Sequence, residues 1–234
     1  MTDIDLVIFD CDGVLVDSEV IACRVDAEEL RKINIPLTDD DVISRFSGVS
    51  SKDMKSIIEA EFNTKLPDDF FEKSGKIATD RLKSELREIP GITLAVQSLP
   101  YAKCVASSSL PDKIEFCLTK VGLIDRFRPH IFSTSLVKRG KPAPDIFLHA
   151  AQVFRASVER CVVVEDSVAG VSAARAAGMR SIGFHGGAHC DAAHPARLRQ
   201  AGATVLLDHM SGLLPALEEL KARGAQPTRP IEAI

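Results

Sequence analysis

Asp10-Cys11-Asp12-Gly13-Val14-Leu15-Val16-Asp17 follows directly on a short apolar run, Asp3 to Phe9, and how that junction is read decides the fold. The run has the composition of a buried β-strand. Two carboxylates one residue apart at its end are costly unless a charge, a metal or a chemical task compensates them. Side chains at i and i+2 leave a strand on the same face, so Asp10 and Asp12 converge if the strand continues that far. Gly13 then allows a sharp turn or the close approach of a ligand.

Downstream, strand character stops for about seventy residues. Ser18 is placed to cap a helix whose apolar positions include Ile21, Val25, Leu30 and Ile33. Met54, Ile57, Ile58 and Phe62 mark one face of a second helix that begins near Ser50 or Ser51. A third opens after Pro67 and carries Phe70, Phe71, Ile77, Leu82 and Leu86. A structureless loop of that length does not suit a compact domain. Residues 18–88 are therefore expected to be an inserted, all-helical cap domain, closed by Pro90-Gly91.

From there strands and helices alternate. Lys103 to Ser107, His130 to Thr134, Cys161 to Val164, Arg180 to Phe184 and Thr204 to Leu206 read as strands. Helices are predicted over Pro111 to Val121, Pro144 to Phe154, Val168 to Ala177 and Ser211 to Arg223, with Gly178 ending the third of them. This order predicts an α/β fold: a doubly wound, mostly parallel, Rossmann-like sheet formed by residues 1–17 and 89–224. Residues 225–234 read as a loose tail.

Composition narrows the function. Apolar residues at 45% and charged residues at 26% are those of an ordinary globular enzyme. A net charge of −4 gives no general attraction to nucleic acid or anionic membrane. No apolar run approaches the roughly 20 residues of a membrane span, and Met1 to Phe9 lacks the basic n-region of a signal peptide. The six cysteines are scattered without a Cys-x-x-Cys and read as reduced thiols, so a cytoplasmic protein is expected, monomeric or weakly dimeric.

Four features fall at strand ends: Asp10/Asp12, Ser107-Ser108-Ser109, Lys141 in Gly140-Lys141-Pro142, and Glu165-Asp166. Carboxylates from two strand ends offer hard oxygen ligands for Mg²⁺. A serine hydroxyl and a lysine ammonium on the same rim suit phosphate oxygens. The set points to phosphoryl transfer, with a carboxylate nucleophile, a carboxyl acid/base, a metal and a neutralising cation.

In order and type these motifs resemble the haloacid dehalogenase-like hydrolase superfamily, in its phosphatase/phosphomutase branch with a helical cap. Within that branch the opening block and cap look most like the phosphogluconate-phosphatase-like members. The resemblance implies a Mg²⁺-dependent phosphatase acting on a sugar phosphate or sugar-acid phosphate. It casts Asp10 as a nucleophile that becomes phosphorylated. Asp12 becomes the acid/base, with its main-chain carbonyl helping to ligate Mg²⁺. Ser107 becomes the phosphate-binding hydroxyl, helped by the Ser108 amide, and Lys141 the residue that stabilises nucleophile and phosphoryl oxygens. Asp166 becomes the second carboxylate ligand, with Glu165 ligating directly or through water. Gly13 would lie beside the substrate. The turn Phe46 to Lys52 resembles the branch's specificity loop, which assigns Ser51 and Lys52 to substrate.

Three rivals remain. A β-phosphoglucomutase-type enzyme carries a histidine in the first cap helix and a phosphate-gripping arginine in the cap loop, where this chain has Ala22 and Ser51. A true haloacid dehalogenase needs no metal and leaves Glu165-Asp166 without a task. A non-catalytic phosphometabolite-binding protein would not require the full set. The loop His185 to Cys190, with His194 beyond, matches no standard zinc spacing and is expected to be a flexible polar loop near the rim.

Overall fold

The computed structural model describes residues 3–223. Six strands form one parallel sheet: β1 (Leu6–Phe9), β2 (Ala102–Ser107), β3 (Ile131–Ser133), β4 (Cys161–Glu165), β5 (Arg180–Phe184) and β6 (Val205–Leu207). Their spatial order is β3-β2-β1-β4-β5-β6, so the winding reverses at β1, between β2 and β4. In open α/β sheets that reversal leaves a crevice outside the strands' carboxyl ends, and ligands bind there. Phe9 pairs with Val105 on one side and Val164 on the other, which sets Asp10, Ser107 and Glu165 on one rim.

Both faces of the sheet are covered, so its strands are apolar throughout rather than alternating. Val7, Phe9, Val105, Val162, Val164 and Ile182 pack on one side against α5 (Ile92–Ser98), α6 (Pro111–Lys120), α7 (Ile124–Phe127) and α11 (Leu213–Arg223). Leu6, Ile8, Ala106 and Val163 face α8 (Asp145–Phe154) and α9 (Val168–Ala176) on the other. α10 (His194–Ala201) lies between β5 and β6 in the chain. Cys11 belongs to the first of these cores, with its thiol pushed well up by burial and by the neighbouring aspartates.

Between β1 and β2 come α1 (Glu19–Lys32), α2 (Asp39–Phe46), α3 (Ser51–Phe62) and α4 (Phe70–Glu85). They enclose an apolar core of their own, including Ala27, Leu30, Val42, Met54 and Ile58. Val20 and Ile21 of α1, with Leu82 of α4, instead join the core beneath the sheet, so the helical layer is rooted in the main body. Its two connections run side by side: Asp17 N–H donates to Arg87 O at 3.0 Å and Ile89 N–H to Leu15 O at 3.0 Å.

Several local readings need correction. α2 interrupts what the sequence left without a helix, and Thr38 and Asp41 cap it reciprocally. Ser18 stands at the N-terminus of α1 but makes no capping bond. Its hydroxyl donates instead to Asp12 Oδ1 at 2.5 Å. The last strand is shifted by one residue, and a 3₁₀ turn over Met210–Gly212 precedes the final helix. The expected tail at 225–234 lies outside the described residues. Among the described residues no helix is long and apolar enough to cross a membrane.

Candidate active site

A cavity of about 500 Å³ opens between the strand ends and the helical layer. Asp10, Asp12, Ser107, Ser108, Lys141, Glu165 and Asp166 line its floor, and Ser44, Arg45, Ser47, Gly48 and Val49 its roof. The structure thus brings together the four strand-end features. It does not bring Ser51 and Lys52 there. Both are exposed at the start of α3, where Ser50 caps the helix by accepting from Asp53 N–H at 3.1 Å. The loop reaches the cavity through Ser47 to Val49, and the cation on the roof is Arg45 of α2, held by Glu61.

Lys141 is the electrostatic centre. Its side chain is only 4% exposed, and Nζ donates to Asp10 Oδ1 at 2.9 Å and to Glu165 Oε1 at 2.6 Å. The second oxygen of Glu165 accepts from Ser167 N–H at 2.8 Å, so both Glu165 oxygens are engaged inside the protein. Gly170 makes room for that side chain, since a Cβ there would lie 1.7 Å from Glu165 Oε1.

One oxygen each from Asp10, Glu165 and Asp166 lie within 4.8 Å of one another. Among the described residues, Lys141 is the cation within hydrogen-bonding distance of Asp10 and Glu165, and His189 Nε2 lies 2.8 Å from Asp166 Oδ2. Burial, with Glu165 and Asp12 adding to it, therefore pushes Asp10 up to about 7 against the pull of Lys141. Asp166 is driven well above the usual carboxylate range by burial, Glu165 and Asp10. Crowded oxygens with surplus negative charge are a donor set suited to a hard divalent cation.

Asp12 is handled differently. Its carboxylate accepts from Ser109 Oγ at 2.6 Å, from Lys113 Nζ at 2.9 Å and from Ser18. Burial would raise it, but Lys113 and the two serines outweigh that and hold it below the ordinary range. Asp10 and Asp12 share the cavity, then, but not their partners. Asp12's side chain lies outside the carboxylate trio.

Ser107 is buried, and its Oγ accepts from Ser109 N–H at 3.1 Å. Ser133 Oγ donates to Ser109 O at 2.7 Å, which fastens the serine run to the end of β3. Gly13, at φ +75°, packs against Asp166, and a Cβ there would lie 2.0 Å from Asp166 Oδ2.

Sequence reasoning missed Lys113, Glu19, Arg45 and Arg197. Lys113 looks like any helix lysine. Glu19 follows Ser18 at the start of α1, lines the cavity, and is raised by burial and by Asp12. The loop with its histidines is not a free polar segment: His189 and His194 are 3% and 6% exposed, against Asp166.

The haloacid dehalogenase-like hydrolase family model matches residues 4–178. The 6-phosphogluconate phosphatase of Escherichia coli (strain K12) is 34% identical over 185 residues, covering 79% of this chain and 84% of that protein. The beta-phosphoglucomutase of Bacillus subtilis (strain 168) is 31% identical over 193 residues, covering 76% of this chain and 81% of that one. A conserved haloacid dehalogenase-like protein of unknown function from Agrobacterium tumefaciens superposes with a TM-score of 0.89 at 42% identity, over 94% of this chain and 99% of that one. Its sheet order, its strand-end carboxylates and these matches all agree: the chain belongs to the haloacid dehalogenase-like hydrolase family, in its phosphatase/phosphomutase branch.

Proposed function

We propose that this phosphatase hydrolyses a sugar phosphate or sugar-acid phosphate, with Mg²⁺, through a phosphoaspartate at Asp10. The observation that carries the reading is Lys141, a buried cation bonded to Asp10 on the floor of a serine-lined cavity. It pulls Asp10 toward its charged form against burial, holds one of its oxygens in place, and supplies positive charge where phosphoryl oxygens gather. Ser107 Oγ and the Ser108 amide would hold those oxygens.

Asp10, through one carboxylate oxygen, attacks phosphorus and the bond to the leaving oxygen breaks. Asp12 gives that oxygen a proton, then takes one from the water that attacks the phosphoaspartate. In the present geometry Lys113 keeps Asp12 charged, as a base. Proton donation therefore requires that contact to loosen. Asp10 and Asp166 would hold Mg²⁺ together with the Asp12 carbonyl, and Glu165 would act through water because its own oxygens are engaged. The metal would supply charge neutralisation at the phosphoryl group.

Arg45 from α2 and Arg197 from α10 also line the cavity, the first paired with Glu61 and the second with Asp191. They offer a substrate's second anionic group a place to dock, which favours a sugar acid, as does the likeness to a 6-phosphogluconate phosphatase. Phosphate release from a panel of neutral and acidic sugar phosphates tests this. Chelator-sensitive release, fastest with the sugar-acid phosphates, is expected. Release indifferent to chelator would contradict the metal assignment, and tight binding without release would favour a non-catalytic binding protein.

A further inference from the structure

His189, Cys190 and His194 place one ligand atom each within 4.8 Å of one another, a set that by composition suits a soft metal. The hydrogen bonds exclude that use. His194 Nδ1 faces Arg197 at 3.1 Å and its Nε2 faces the Asp166 carbonyl at 2.6 Å. A guanidinium only donates and a carbonyl only accepts, so Nδ1 accepts and Nε2 carries the proton. Neither nitrogen is left for a metal. His189 Nε2 points at Asp166 Oδ2 from 2.8 Å, with Cys190 Sγ beside it at 3.4 Å.

Both rings therefore converge on one residue, His189 on its carboxylate and His194 on its main chain. The His189 ring is wedged in a slot that glycines leave. A Cβ at Gly13 would lie 2.9 Å from its Cε1, and one at Gly187 would lie 2.6 Å from it. Among the described residues its Nδ1 is buried without a partner, so the ring gives up one hydrogen bond to keep Nε2 on Asp166. Cys190 N–H donates to Gly187 O at 3.0 Å and His185 N–H to Leu207 O at 2.9 Å, which ties the segment to itself and to β6.

We propose that His189 and His194 are positioning residues that fix Asp166, its carboxylate and its carbonyl, for a divalent cation, so that the β5–α10 connection tunes metal affinity. This rests on the reading that Asp166 is a metal ligand. With Oδ2 donated to by His189, the carboxylate rotates less and presents its other oxygen to the cation. Partners of this kind behind a ligand typically change metal affinity by about 10–100-fold.

The test is calorimetric titration of Mg²⁺ into the whole protein without substrate, for the parent, His189→Ala, His189→Gln, His194→Ala and Asp166→Ala, with thermal melts alongside. His189→Ala should weaken Mg²⁺ binding about tenfold or more. His189→Gln, whose amide can still donate to Oδ2, should stay within about threefold of the parent. A purely structural histidine would lower the melting temperature in both variants without this split. If His189→Ala does not fold, His189→Met fills the volume without donating and takes its place. Folded His189 and His194 variants that bind Mg²⁺ as tightly as the parent, or more tightly, overturn the proposal while Asp166→Ala still loses binding. Undiminished binding by Asp166→Ala would instead overturn the metal assignment, and this inference with it.

Discussion

Asp10→Asn is expected to abolish turnover and, in the metal-free protein at neutral pH, to raise the melting temperature. The loss follows because a neutral amide is a poor nucleophile and a weaker ligand for a hard cation. The gain follows from linkage. Burial lifts the Asp10 carboxyl from about 3.8 to about 7 in the folded protein, so between those values the folded state holds a proton that the unfolded state has lost. Stability contributed by Asp10 therefore falls as pH climbs from about 4 to about 7 and stays low above it. Asparagine removes that slope. Melts of parent and variant from pH 4.5 to 8 should diverge with rising pH, and added Mg²⁺ should lift the parent more than the variant. A variant that keeps more than about a tenth of the parent's turnover, free of deamidation, would defeat the nucleophile assignment.

Lys141→Met carries the other large effect. Removing one partner from a buried ionic cluster costs about 3–5 kcal/mol, because the charges left behind lose their compensation. Here two carboxylates lose it at once, those of Asp10 and Glu165. Without the cation Asp10, already raised by burial, binds its proton more readily, so the variant recovers part of its stability at low pH and loses most above neutrality. Denaturant titrations at pH 5 and pH 8 should show the larger deficit at pH 8, and phosphatase activity should be lost at both. An active variant would mean that Lys141 does not serve the nucleophile.

What could be read from the sequence, and what could not, follows the range of the interactions involved. β1 and its carboxylates stood out because a buried strand that ends in charge is anomalous within ten residues. The serine run and Glu165-Asp166 follow because each ends a strand, and Lys141 because it lies in the connection after β3. α2 went unread because Asp39-Asp40-Asp41 looks like a solvated loop, although Thr38 and Asp41 at three-residue spacing carried the capping signal. Ser18 had the local marks of a cap, but a buried carboxylate six residues back is a more demanding partner than a helix end. Lys113 and His189 acquire their partners, Asp12 and Asp166, only through the sheet's winding. No local pattern announces such contacts. Cap residues were hardest to place, since a shift of a few residues along one loop exchanges Lys52 for Val49 at the cavity.

The central claim is that water, and not a sugar hydroxyl, accepts the phosphoryl group from Asp10. Identity does not decide it, since a phosphatase at 34% and a phosphomutase at 31% are nearly as close. The residues do bear on it. Ala22 on α1 has only a methyl group where the mutase branch carries a histidine, and it can neither relay a proton nor reach Asp12 by a hydrogen bond. Ser51, in the place of the arginine, is an exposed residue outside the cavity. The deciding measurement follows glucose 6-phosphate and free phosphate together, as the enzyme consumes β-glucose 1-phosphate with Mg²⁺ and a trace of glucose 1,6-bisphosphate. Phosphate release outrunning isomerisation is the predicted result, and glucose 6-phosphate forming faster than free phosphate would contradict it.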